Sequence, residues 1–203
     1  MKFFFFIISI ILIISFLFLK SYFNRNIMKP EDFQNTSPTI KIEKYFEGQV
    51  KAWGLLQDRK GKVTRQFKAD MFGRFENNTL TLEEEFFWND GEKQKRVWNI
   101  EKIDEHNYIG TAADVVGKAK GFSYGSAFKF EYDLMVPIKG KNIKISFDDW
   151  IFKQDEEIAI NRATLKKFGF KVGELTVFLK KLIINFLHSF FKESKIKTIW
   201  KYS

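Results

Sequence analysis

The feature that most constrains the fold is an alternation of apolar and polar residues that recurs along most of the chain. It runs from Tyr45 to about Leu179 as short segments separated by turn-forming residues. In the segments 128–134 and 143–147, for example, every second residue is apolar and those between are Lys, Glu, Asp or Ser. Such a period of two is typical of β-strands with one buried face.

Turn signals between these segments indicate how the strands connect. Asn89-Asp90-Gly91 separates two aromatic segments, and Asp-Gly accepts the positive φ angles of a tight hairpin. With about eight to ten such strands and no convincing helix between them, we predict an all-β domain, either a barrel or a sandwich. The regular meander favours an antiparallel up-and-down barrel over residues 45–179, because closure removes exposed sheet edges. Its interior would be either a filled core or a cavity for a small ligand.

The N-terminal segment is strongly apolar. Between Lys2 and Lys20 lie about 17 residues with no charge, which is the lower limit for crossing a bilayer core. We predict a signal anchor or transmembrane helix over residues 1–23. A cleaved signal peptide and a buried core helix are the alternatives, although the bulky residues after Lys20 do not resemble a cleavage site.

The remaining segments flank the predicted barrel. Residues 24–44 contain Pro30 and Pro38 and no sustained period, so we predict a linker. Residues 180–203 change to helical spacing and carry six lysines against Glu193. This pattern predicts a basic amphipathic helix, which would lie either on a membrane surface or against the barrel mouth.

Composition excludes several classes of site. The 203 residues include no Cys and only two His, and 34 basic against 25 acidic residues give a net charge of +9. The chain therefore offers no disulfide, thiol nucleophile or lipid-modified cysteine, and we expect no metal and no cofactor. Because the basic excess gathers near the chain ends and no nucleic-acid reading element is evident, we expect a lipid surface as partner, and no nucleic acid.

One sequence motif resembles a hydrolase signature. Gly121-Phe-Ser123-Tyr-Gly125 fits G-x-S-x-G, and Asp148 and His188 follow in the order found in α/β-hydrolases. That chemistry needs a strand-to-helix elbow, whereas the residues after Ser123 alternate like a strand. We therefore reject this interpretation.

Asp149 is the most informative polar position. If Asp148 continues the polar face of its strand, Asp149 points inward, where a carboxylate needs a partner. Arg96 and Arg162 are candidates, and the resulting pair would either close one barrel end or hold a ligand headgroup. The tryptophans would line the interior, as core or as ligand contacts. The candidate ligand-binding residues are Trp53, Arg96, Trp98, Asp114, Asp149, Trp150 and Arg162.

Several short motifs follow one another along the predicted barrel. They are Phe46-Glu-Gly48, Trp53-Gly54, Gln57-Asp58-Arg59, Leu80-Thr-Leu82, Asp90-Gly91-Glu92, Arg96-Val97-Trp98, the stretch from Gly110 to Gly117, Asp148-Asp149-Trp150, Asn161-Arg162-Ala163 and Lys167-Phe168-Gly169. In this order they resemble one known family, DUF3833, a bacterial envelope family of unknown function, over about residues 45–179. The resemblance implies a lipoprotein encoded beside lipid-modifying enzymes. The lipid-bearing cysteine is missing here, so the apolar N-terminal run would replace it.

These observations lead to a functional hypothesis and two alternatives. We expect a calycin- or lipocalin-like barrel that binds or shields a lipid or other apolar molecule, as an accessory to lipid metabolism. It would be a single-pass protein of the bacterial inner membrane, with the barrel facing the periplasm. The alternatives are a lipid-modifying enzyme, with Asp58, Asp114, Asp149 and Arg162 in a polar pocket, and a structural envelope module with a filled core.

Overall fold

The protein folds into a closed barrel of ten antiparallel strands. The computed structural model describes residues 2–25, 28–138 and 140–183. Each strand pairs with its neighbours along the chain, and β1 pairs with β10 to close the barrel. The predicted all-β up-and-down barrel is therefore confirmed. The strands are β1 (Gly48–Asp58), β2 (Val63–Glu76), β3 (Thr79–Trp88), β4 (Lys93–Lys102), β5 (Asn107–Thr111), β6 (Ala119–Tyr124), β7 (Ala127–Ile138), β8 (Lys141–Lys153), β9 (Ile158–Lys167) and β10 (Phe170–Lys181).

The alternation in the sequence decides which side chains enter the barrel. Ala52 of β1 pairs with Ala69 of β2 and Leu179 of β10, and all three are buried. The same row-by-row pairing continues around the wall, so apolar residues two apart on each strand share the interior. Val50, Leu80 and Phe128 are among the most completely buried side chains.

The hairpin predicted at Asn89-Asp90-Gly91 joins β3 to β4. The amide of Gly91 donates to the carbonyl of Trp88 at 3.0 Å, and Gly91 has φ +89°. A positive φ of this size is unfavourable for residues with a Cβ, which explains the glycine. The turn prediction is confirmed.

One end of the barrel is covered by residues 29–46, which we call the covering segment. It contains a short 3₁₀ helix (Pro30–Phe33) and helix α2 (Ile42–Tyr45). Ile40 and Ile42 are fully buried against the barrel, and the amide of Ile40 donates to the carbonyl of Gly125 at 2.8 Å. The range 24–44, predicted as a linker, thus includes a stretch that packs against the domain.

The covering segment comes very close to β2. A Cβ built on Gly73 would lie 2.1 Å from the carbonyl oxygen of Phe46, so only glycine allows this approach. The hydroxyl of Tyr45 also donates to the carbonyl oxygens of Glu157 and Leu179, at 3.0 and 3.2 Å. Backbone and side chain together hold the segment on this end, which we call the covered end.

The N-terminal prediction needs a correction. Helix α1 (Lys2–Arg25) does form over the apolar run. Within the described residues, however, we find no helix whose length and apolar character suffice for crossing a membrane. The transmembrane helix predicted over residues 1–23 is therefore not supported.

The predicted C-terminal helix over 180–203 lies largely outside the described residues, which end at Ile183. Residues 180 and 181 belong to β10.

Candidate functional site

The barrel interior is packed unevenly along its length. Next to the covering segment, inward side chains such as Val50, Leu80 and Phe128 are at most 1% exposed. The opposite end, which we call the distal end, carries the connections β1–β2, β3–β4, β5–β6, β7–β8 and β9–β10. Toward it the inward side chains are less completely buried. The inward side chains there that are only partly buried include Leu56, Trp88, Phe147, Leu165 and Leu175.

A guanidinium lies between two carboxylates in this part of the interior. Arg96 of β4 donates to Asp114 Oδ2 from Nη2 at 2.7 Å and from Nε at 3.1 Å. Asp114 belongs to the β5–β6 connection. Glu84, paired in register with Arg96 across β3 and β4, has Oε2 3.9 Å from Nη1. The guanidinium of Arg96 therefore lies close to two carboxyl groups on the inner side of the barrel wall.

A second polar group surrounds Asp149 on β8. The hydroxyl of Tyr132 on β7 donates to Asp149 Oδ2 at 3.0 Å. The side-chain amide of Asn161 on β9 donates to Oδ1 and, at 3.0 Å, to the carbonyl of Trp150. We call Glu84, Arg96, Asp114, Tyr132, Asp149 and Asn161 the polar cluster.

Burial shifts the ionisation of the polar cluster. It raises the pKa of Asp149 to about 6, although hydrogen bonds from Asn161 and Tyr132 lower it. It raises the pKa of Glu84 to about 7, although the charge of Arg96 lowers it and the nearby Asp149 and Asp114 raise it further. Burial also raises the pKa of Tyr132 well above its ordinary value. Two carboxyl groups in the cluster therefore change charge between weakly acidic and neutral pH.

Several buried polar atoms near the cluster have no hydrogen-bond partner. Within the described residues these include the acceptors Glu84 Oε2 and Asp114 Oδ1 and the donor Trp88 Nε1. A buried polar group without a partner costs about 1–3 kcal/mol. The cluster therefore has hydrogen-bonding capacity that a bound molecule could satisfy.

Aromatic rings form the wall beside the cluster. The ring of Trp98 lies 5.0 Å from that of Phe130 and 5.2 Å from that of Tyr132. Tyr132 in turn stacks on Phe147 with centroids 5.1 Å apart. A few convergent polar groups among aromatic and aliphatic side chains are typical of small-molecule sites.

The structure brings together four of the seven residues proposed from the sequence: Arg96, Trp98, Asp114 and Asp149. Asp149 does point inward. Its hydrogen-bond partners are Tyr132 and Asn161, whereas Arg96 pairs with Asp114.

The other three point to the outer face of the barrel wall, and their proposed place in the interior is wrong. Trp53 is outward because its neighbours Ala52 and Gly54 face inward. Trp150 packs beneath the ring of Phe33, with centroids 5.8 Å apart. Arg162 has a 60% exposed side chain, 3.5 Å from Glu174.

Asp58, considered for the enzyme alternative, is the last residue of β1, at the start of the β1–β2 turn. Its carboxylate accepts the backbone amides of Lys60 and Lys62, at 2.8 and 3.1 Å. This carboxylate stabilises the turn and lies away from the polar cluster.

Sequence reasoning missed Glu84, Tyr132 and Asn161 as members of the cluster. Glu84 stands on the same face as the buried Leu82 and Phe86, and Asn161 on the same face as Ala159 and Ala163. A polar residue on an otherwise apolar face was therefore the signal that could have found both.

The rejected hydrolase motif forms ordinary barrel structure. Ser123 lies buried on β6, and its hydroxyl donates to the carbonyl of Ile40 at 2.8 Å. His188 lies outside the described residues. Ser123 therefore holds the covering segment and has no elbow geometry.

Two of the pockets formed by the described residues lie on the outer wall. One of about 440 Å³ crosses β1 to β4, where Lys51, Asp70, Phe72 and Val97 face outward. The other, of about 330 Å³, crosses β6 to β9. In the part of the chain that the structure describes, no group of three or more His, Asp or Glu side chains is arranged to hold a metal ion.

The fold and the polar cluster define an up-and-down β-barrel with a partly polar interior. The sequence matches the family described as "Protein of unknown function (DUF3833)" over residues 18–181. The protein therefore belongs to the DUF3833 family, as the motifs indicated. No curated protein matches the sequence.

Two solved structures share the fold. A protein of unknown function from the DUF3598 family of Nostoc punctiforme PCC 73102 gives a TM-score of 0.54 at 10% identity, over 72% of this chain and 51% of that chain. The present chain thus spans about half of that relative. The S-type phycobiliprotein lyase CPES from Guillardia theta gives 0.52 at 7% identity, over 77% of this chain and 99% of that chain. These likenesses concern the lipocalin-like fold alone.

Proposed function

We propose that the barrel binds a small amphipathic ligand inside its distal half. The observation that carries this proposal is the pair of unpartnered acceptors, Glu84 Oε2 and Asp114 Oδ1, on either side of Arg96. A ligand hydroxyl or amine would donate to them. The apolar part of the ligand would lie among side chains such as Trp98, Phe147 and Leu165.

The charges of the polar cluster limit which headgroups a ligand in the interior can carry. The cluster holds three carboxyl groups, Glu84, Asp114 and Asp149, against the single guanidinium of Arg96. A carboxylate or phosphate headgroup would meet repulsion from these acids and would cost buried charge. We therefore propose an uncharged or cationic headgroup that donates hydrogen bonds, such as a long-chain alcohol or amine.

A competition experiment tests this proposal. An apolar dye whose fluorescence rises on burial is bound to the full chain in mild detergent. It is then displaced by a long-chain alcohol or by the carboxylate of equal chain length. We expect the alcohol to displace the dye at lower concentration. Equal displacement by both would contradict the headgroup assignment.

A variant identifies the interior as the place where the dye binds. Leu165→Trp adds a large ring to the distal part of the barrel interior and should abolish dye binding, whereas Leu165→Met, of similar volume, should preserve it. Unchanged binding in the Trp variant would contradict an interior site. Absence of binding in the native protein would favour the structural-module alternative.

A second candidate function is catalysis of lipid modification. It is favoured by the pKa of Glu84, raised to about 7, because a buried carboxyl that titrates near neutrality suits acid–base work. Turnover of a bound lipid that is lost in Glu84→Gln, with dye binding retained, would support this candidate. Ligand recovered chemically unchanged would favour simple binding.

We also propose that the protein acts at the bacterial cell envelope, with its barrel in the periplasm, as an accessory to lipid metabolism. Support comes from α1, where side chains such as Phe4, Phe16 and Phe18 are exposed. Such an apolar surface is unusual in water and indicates contact with lipid or protein. Protease added to spheroplasts should degrade the barrel, and protection from it until the cells are lysed would contradict the location.

A further inference from the structure

The distal end displays large apolar side chains at the tip of the β9–β10 hairpin. Phe168 is 89% exposed and Phe170 is 77% exposed. Phe168 also has φ +52°, a left-handed conformation that is uncommon for a bulky residue. Neither ring packs into the described core. The tip therefore presents an apolar surface that a partner could cover.

Two neighbouring connections extend this surface. β10 pairs with β1 and β9 pairs with β8, so the β1–β2 and β7–β8 connections stand on either side of the β9–β10 tip. Each of them adds an exposed aliphatic residue: Val63 is 44% exposed and Ile138 is 41% exposed. We call these three connections, together with the strand residues that flank them, the distal tips.

The distal tips are also basic. Within the described residues, five of their cations form no ion pair: Arg59, Lys60, Lys62, Lys141 and Lys167. Lys167 Nζ lies 5.4 Å from the ring centroid of Phe168, which places charge and apolar surface side by side. The acid of the β1–β2 turn, Asp58, is hydrogen-bonded to backbone amides of its own turn.

We propose that the distal tips dock on a bilayer that contains anionic phospholipid. Lysines and arginines are attracted to its phosphate groups, and aromatic side chains settle at the boundary between headgroups and acyl chains. The tips belong to separate hairpins and project from the barrel, which suits entry into a fluid surface better than the matching pockets of a protein. This proposal does not depend on the nature of any ligand in the interior.

The test must distinguish the tips from α1, whose exposed apolar side chains would also favour binding to vesicles. The absence of cysteine allows a single dye, sensitive to polarity, at one introduced position. Asn142→Cys places it beside a distal tip, and Glu105→Cys places it in the β4–β5 turn at the covered end. The labelled full chain is mixed with vesicles of phosphatidylcholine and phosphatidylglycerol in equal parts, or of phosphatidylcholine alone.

We expect the dye at position 142 to shift to shorter wavelength with the mixed vesicles only. Binding through α1 alone would instead shift the dye at position 105, which lies at the covered end beside the segment that follows α1. High salt should weaken the response because it screens the attraction. No response at position 142, as an acidic protein partner would imply, or equal responses at both positions would overturn the proposal.

Variants assign the response to named residues. Phe168→Ser with Phe170→Ser should weaken the vesicle binding reported by the dye at position 142 by roughly tenfold or more, since burial of two aromatic rings is lost. Val97→Ser, at an exposed valine on the outer wall, should leave binding unchanged. Lys60→Glu with Lys167→Glu should remove the preference for phosphatidylglycerol. Binding equal to native in both double variants would overturn the proposal, and an unchanged melting temperature confirms that each variant is folded.

Discussion

Glu43 of the covering segment forms an ion pair with Lys102 at the end of β4, with Nζ 2.6 Å from Oε1. The hydroxyl of Tyr108 on β5 donates to Oε2 at 3.0 Å. Glu43 is only 4% exposed. Burial alone would raise the pKa of Glu43, but hydrogen bonds from Lys102, its own backbone and Tyr108, with the charge of Lys102, lower it overall. The carboxylate thus ties the covering segment to two strands.

Replacing this carboxylate by an amide should loosen the covered end. Glu43→Gln keeps the shape but leaves Lys102 without its counter-charge, and we expect a loss of about 1–3 kcal/mol in the free energy of unfolding in urea. Since the pKa of Glu43 is lowered on folding, the native advantage should hold above pH 4.5 and fade as the pH falls through the folded pKa.

The matched control is Glu105→Gln. Glu105 pairs with Lys41 of the same segment at 3.4 Å, but its side chain is 73% exposed. An exposed pair contributes little, so the loss should stay below about 0.5 kcal/mol. Equal losses in the two variants would show that burial of Glu43 is unimportant.

Stability should also depend on pH through the interior acids. The pKa of Asp149 rises from 3.8 to about 6 on folding, and that of Glu84 rises from 4.5 to about 7. Between these values the native protein binds more protons than the unfolded chain, so stability should fall as the pH rises from about 4 to about 7. Each group should contribute roughly 3 kcal/mol to that fall.

Urea unfolding of the native protein and of Glu84→Gln and Asp149→Asn across this range measures the effect. The amide variants cannot ionise, so their stability should vary less with pH, and each should gain on the native protein toward pH 8. A native curve that rises over this range while the variants remain flat would contradict the assignment.

Arg96 should be far more important to stability than Arg162, although the sequence offered both as partners of Asp149. Arg96→Met leaves Glu84 and Asp114 in the interior without a cation, and removing one partner of a buried ion pair costs about 3–5 kcal/mol. Arg162→Met removes an exposed pair with Glu174 and should cost less than about 1 kcal/mol. Thermal unfolding at neutral pH should separate the two variants, and similar melting temperatures would argue against a buried ionic role for Arg96.

A methyl group at Gly73 should displace the covering segment. Because the added Cβ would lie 2.1 Å from the carbonyl oxygen of Phe46, Gly73→Ala forces the backbone apart and should cost about 1–3 kcal/mol. Limited proteolysis should then cut within residues 29–46. Gly61→Ala, strained only by its φ of +83° with open space around it, should not expose that segment, so equal cleavage in both variants would contradict the steric explanation.

The barrel could be predicted from the sequence because a period of two over so many segments permits few other folds. Ala52, Ala69 and Leu179 illustrate this, because each faces the interior as the alternation predicts. The packing of Ile40 and Ile42 on the covered end could not be predicted from the sequence, since two isoleucines among polar residues carry no periodic signal. Ile40 is bound there by a long-range backbone hydrogen bond to Gly125.

The candidate site was only partly predictable for a related reason. The alternation that places Asp149 inward also turns Trp150 outward, so strict use of one rule would have excluded that tryptophan. The partners of Asp149 could not be derived, because Tyr132 and Asn161 meet it only through the pairing of β7, β8 and β9. Residue type alone had favoured an arginine as the partner of Asp149.

Pairing of the first strand with the last has a consequence for synthesis of the protein. Ala52 and Leu179 face each other across the seam that closes the barrel, so β1 has no permanent neighbour on one side until β10 has been made. A nascent chain that stalls before Phe170 would expose two unpaired strand edges, which readily join edges of other chains. The barrel is therefore expected to close only after its last strand leaves the ribosome, which makes the interval before release the period of greatest risk of aggregation.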